Sequence, residues 1–92
     1  MAKSRLEDQL AALAALRADP TSSRTRAKLR QALSSRQNAL VARAAEIVGE
    51  FLLGELEGEL VQAFERSMVN PAKVDPGCLA KTAIVDALYR ME

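Results

Sequence analysis

The chain has no histidine, no tryptophan and a single cysteine, Cys78, among its 92 residues. Without histidine there is no Ser-His-Asp or Cys-His arrangement and no imidazole ligand for a metal. One thiol cannot close an intramolecular disulfide, so a reducing, cytoplasmic location is the expected one. The longest purely apolar run, residues 10–16, is far too short to cross a bilayer, and no signal-peptide core follows the basic amino terminus. Aromatic residues are limited to Phe51, Phe64 and Tyr89. No glycine-rich phosphate loop or recognised nucleic-acid reader motif accompanies them. No nucleophile stands with a base, so an enzyme, a cofactor and a small-molecule substrate are not expected.

What remains is a chain of ordinary globular composition, 49% hydrophobic and 27% charged. Its 10.0 kDa make one domain, spanning residues 1–92. A chain of this length buries about 60–65% of the surface its unfolded state exposes. The net charge of +1 conceals an asymmetry. Residues 1–36 carry eight basic and three acidic groups, while residues 37–70 carry two basic and six acidic ones. The molecule is therefore electrically polar along its sequence.

Apolar residues recur at helical spacing almost throughout, without the alternation of strands. The spacing predicts five helices. The first opens on a capping box, Ser4 with Glu7, carries Leu6, Leu10 and Leu13, and stops at Asp19-Pro20. Thr21, Ser22 and Ser23 offer caps for a second helix with a narrow strip of Leu29, Ala32 and Leu33. A third begins at Gln37 or Asn38 and presents a broad stripe including Val41, Ala44, Ala45, Val48 and Leu52, with Gly54 expected as its left-handed C-cap. Leu56, Leu60, Phe64 and Met68 define a fourth, closed by Asn70-Pro71. Asp75 and Pro76 start a fifth, with Leu79, Ala83, Ile84, Ala87, Leu88 and Met91 apolar.

A shift of 39 residues superposes the third helix on the fifth. Leu40 falls on Leu79, Val41 on Ala80, Ala44 on Ala83, Ala45 on Ile84, Val48 on Ala87 and Leu52 on Met91. Two helices per period of about 40 residues is the spacing of helical solenoids. Ala44, Ala45 and Ala83 suit the close approach of parallel helices in successive repeats. The segment Leu40-Val41-Ala42-Arg43-Ala44-Ala45-Glu46-Ile47-Val48-Gly49 resembles the inner-helix signature of HEAT repeats, and residues 75–84 resemble a second copy. The pattern departs from strict repetition where Gly49 has Leu88 opposite it. The resemblance implies an all-α fold, a short armadillo-like α-α superhelix of antiparallel hairpins in a right-handed stack. It further implies a scaffold or adaptor that binds another protein or itself. The apolar stripe of the fifth helix is still in phase at Met91 with no stop signal after it, so the chain is expected to be the amino-terminal part of a longer solenoid or a small self-associating unit.

Within that frame the candidate surfaces are two. Leu79, Ala83, Leu88 and Met91 on the fifth helix are the expected apolar contact surface. Arg24, Arg26, Lys28 and Arg30 on the second are the expected electrostatic one, with Arg26 and Arg30 on one edge of its apolar strip and Arg24 and Lys28 on the other. The same four cations carry the alternative function, nucleic-acid binding. Glu46, Glu50, Glu55, Glu57 and Glu59 read as a solvated face. Cys78, three positions after the Asp75 cap, reads as a small residue packed at a helix start.

Overall fold

The helical periodicity is realised along the chain. The computed structural model describes residues 5–20, 22–69 and 76–91, and among these it contains five α-helices and no strand. Helix α1 spans Arg5–Ala15 and runs into a 3-10 turn, Leu16–Ala18. Helices α2 (Ser23–Leu33) and α3 (Asn38–Glu50) follow. A 3-10 turn at Gly54–Leu56 leads into α4 (Glu57–Ser67), and another at Pro76–Cys78 precedes α5 (Leu79–Arg90). The fold is all-α. Ser4, Asn70, Pro71 and Asp75, assigned above to helix starts and stops, lie outside the described residues.

Local chemistry explains the boundaries. Ser22 has extended backbone, and its hydroxyl accepts the Thr25 backbone N–H at 3.1 Å, which caps α2. Thr25 is buried; its hydroxyl donates to the Asp19 carbonyl and accepts from Ser22. This closes the turn between α1 and α2. At the far end of α2, Arg66 of α4 donates to the Leu33 carbonyl, supplying a partner for one of the orphan acceptors of a helix C-terminus.

The end of α3 differs from expectation. Leu52, not Gly54, takes the left-handed conformation, with φ of 53°. Leu53 N–H donates to the Val48 carbonyl and Leu52 N–H to that of Gly49, the two bonds of a Schellman cap. The reason is burial: ending the helix there turns Leu53 into the core while Leu52 stays exposed.

Packing centres on α3. Its Leu40, Val41, Ala44, Ala45, Ile47 and Val48 are buried, and the helix lies against α5 over its length, then against α2 and α1. The two helices that superpose at a shift of 39 residues are side by side and parallel. Val41 and Ala80, near their amino termini, line one small cavity, and Gly49 meets Ala87 near their carboxyl termini. Neither α1 with α2 nor α3 with α4 makes a comparable backbone approach. On α4 the buried face is Leu60, Ala63 and Ser67, while Met68, expected in the stripe, is 54% exposed. An i, i+4 series gains about 40° per step, so its third step leaves the buried arc. The Cα extents of 42 × 34 × 16 Å describe a slab.

Candidate interaction surface

The basic helix α2 divides its cations between two sides. Its buried face is Thr25, Leu29, Ala32 and Leu33. On one edge Arg26 pairs with Glu55 at 3.2 Å and Arg30 with Glu59 at 3.1 Å. Half of the expected electrostatic surface is thus engaged with the start of α4. Glu59 lies in the first turn of α4, where the helix dipole favours negative charge, and Glu55 in the 3-10 turn that leads into it. Arg24 and Lys28, on the other edge, are exposed and have no ion pair among the described residues.

A third ion pair distant in sequence fastens the turn after α1 to α3. Arg17, in the turn after α1, reaches Glu50 with two parallel bonds, Nε to Oε1 at 2.7 Å and Nη2 to Oε2 at 3.1 Å. The hydrogen bond from Arg17 holds the Glu50 carboxyl below its ordinary range, with partial burial opposing it, and raises the Arg17 guanidinium in turn. Of the acidic residues read as solvated, Glu50, Glu55 and Glu59 therefore tie helices together. Sequence alone carried no signal for these partners, which lie 29 to 33 positions away in the pairs of Arg30 and Arg17.

On α5 the four expected surface residues separate. Leu79 is exposed, whereas Ala83, Leu88 and Met91 are half-buried against the core beside Ala80, Ile84 and Ala87. The exposed apolar side chains are instead Leu79, Val85 and Tyr89, the last 75% exposed. Rotation of the buried arc toward α3 produces this, because Ala80 and Ala87 allow the closest approach. Cys78 is exposed rather than packed. It precedes the helix with φ of 58° and makes no side-chain cap bond.

Between α1 and α2 the surface opens into a groove of about 470 Å³. Leu13, Leu16, Ala32 and Leu40 form its floor; Gln9, Lys28, Gln31 and Ser35 stand along its sides. Nothing in the sequence pattern singled out this groove, since it depends on the separation of two helices. Lys28, at least, was legible as an exposed cation. Among the described residues no cluster of three His, Cys, Asp or Glu could hold a metal, and no helix is long and apolar enough to cross a membrane.

No family model, curated protein or solved structure matches the chain.

Proposed function

We propose that this chain is a noncatalytic protein-interaction module built on HEAT-type repeats and working as a scaffold in the cytoplasm. The observation that supports this reading is the parallel contact of α3 with α5. Residues one period apart, Val41 and Ala80, border the same cavity, as stacking of successive repeats requires. The 16 Å thickness of the slab agrees with two helix layers spaced about 8–10 Å apart. Exposed apolar side chains on the outermost helix, Leu79, Val85 and Tyr89, provide contact area of the kind protein partners cover.

The test is affinity capture from the source cells with the chain and with its Val85→Asp/Tyr89→Asp variant. An interaction module retains a defined protein that the variant loses. Equal recovery by both, or recovery by neither, rejects the reading for this face. Nucleic-acid binding has less support, because Arg26 and Arg30 are already engaged by glutamates. It would require salt-sensitive binding of a duplex or single strand that Arg24→Glu/Lys28→Glu abolishes.

A further inference from the structure

Two surfaces of this chain are complementary to each other. The first is the groove between α1 and α2, where α1 presents the short side chain of Ala12 and approaches α2 less closely than α3 approaches α5. Its floor is apolar, and its α2 side carries Lys28 with Arg24 one turn earlier. These are the cations of α2 that lack an ion pair among the described residues. Positive charge beside an apolar floor suits an amphipathic segment bearing carboxylates.

The second surface is such a segment. Along α4 and its C-cap residue Met68, Glu57, Val61, Glu65 and Met68 recur at i, i+4, i+8 and i+11, and all four are exposed. That spacing places them on one face of the helix. Neither Glu57 nor Glu65 has an ion pair among the described residues, in contrast to Glu55 and Glu59, which α2 engages. The chain thus neutralises the inner carboxylates of this region and leaves the outer ones beside exposed Val61 and Met68.

We infer that the α1/α2 groove of one copy of this chain receives the outer face of α4 from a second copy. Val61 and Met68 enter over Leu13, Leu16 and Ala32, and Glu57 and Glu65 meet Arg24 and Lys28, the helix-in-groove mode with anchors spaced one turn apart. Because every chain carries both halves, the contact is satisfied by a reciprocal two-fold dimer or by a head-to-tail series. This names a partner for the interaction-module reading and rests on it.

Sedimentation and light scattering of the purified chain across concentration and salt test the contact. The mass should rise with concentration at low salt and fall back toward the monomer as salt screens the pairs. Lys28→Glu and Glu65→Lys should each weaken association about tenfold or more, since each sets like charges against each other. Mixing these two variants should restore it, because each then meets the opposite charge on the other. Val61→Asp in the Glu65→Lys partner should remove the charge-swapped contact and weaken that rescue, while Val61→Asp in both variants should abolish it. Arg43→Glu, which changes net charge as Lys28→Glu does but lies on α3, should associate like the parent chain. The inference is overturned by a monomer at every concentration, by failure of the mixed variants to associate, or by an equal effect of Arg43→Glu. Salt-insensitive association lost in Tyr89→Asp would overturn it as well, by assigning the contact to α5. A monomer that still captures a foreign protein in a Tyr89-dependent way would end this inference and leave the interaction-module reading standing.

Discussion

Gly49 of α3 lies so close to Ala87 of α5 that a Cβ added to the glycine would sit 3.0 Å from the Ala87 Cα and 3.1 Å from its Cβ. The obstacle is backbone and cannot rotate aside. Gly49→Ala should therefore destabilise the fold by about 1 kcal/mol and Gly49→Val by about 3 kcal/mol, as overpacking does. Gly58, in α4, has open space around the same position. Gly58→Ala should stabilise by up to about 1 kcal/mol through helix propensity. Urea midpoints of the variants measure this, and equal signs at the two sites would contradict the close approach.

Leu52 offers a gain in the other direction. Its φ of 53° costs a branched side chain about 1 kcal/mol, and at 60% exposure it contributes little burial in return. Leu52→Gly should raise stability by about 0.5–1 kcal/mol after allowing for the extra freedom of glycine in the unfolded chain. Thermal melts of Leu52→Gly and Leu52→Ala should differ, with glycine the more stable.

The Arg17–Glu50 pair should write itself into the acid side of the stability profile. Glu50 is held below its unfolded-state value, so the folded chain binds fewer protons than the unfolded one between the two values. Its contribution is complete above the ordinary carboxylate range and is lost as pH falls through the lowered folded value. Both partners are substantially exposed, so the effect stays under about 1 kcal/mol. Urea unfolding of the parent and Glu50→Gln from neutral to acid pH should show a gap that closes below about pH 4.

Core and surface positions on α5 should separate cleanly. Ile84 is fully buried, and Ile84→Ala should cost about 2–4 kcal/mol. Tyr89→Ala, at a largely exposed position, should stay within about 0.5 kcal/mol. Chemical denaturation of both distinguishes an α5 that belongs to the core from one loosely attached.

Exposure of Cys78 predicts that its thiol reacts with a disulfide reagent in native buffer, to one equivalent and without unfolding. Protection until denaturant is added would place the side chain inside.

Much of this molecule was legible before any coordinates. Leu29, Leu33, Ile47, Leu60 and Ile84 follow from helical periodicity and are all buried. Ser22 was among the cap candidates, and the 39-residue shift that pairs Val41 with Ala80 brought together two residues that line one cavity. The separation of the α2 cations into two edges was also readable from residue spacing alone. What each edge meets was not. Glu55 and Glu59 reach Arg26 and Arg30 only because α4 passes beside α2, after two intervening connections. The same holds for Leu79, which periodicity placed with Ala83, Leu88 and Met91 but which alone among them is exposed.

The sequence by itself determined the helices, their order and which residues are apolar enough to form a core, since these depend on contacts within a few turns. Only the tertiary structure decided which side of each helix is covered, where α3 ends and which charges remain uncompensated. A helix carries a broad arc of apolar positions, and the direction of burial within that arc is set by the neighbour that can come nearest. Here that neighbour is α5, admitted by Gly49 and Ala87. Its approach turns Ala80 and Ile84 inward and leaves Leu79, Val85 and Tyr89 facing out.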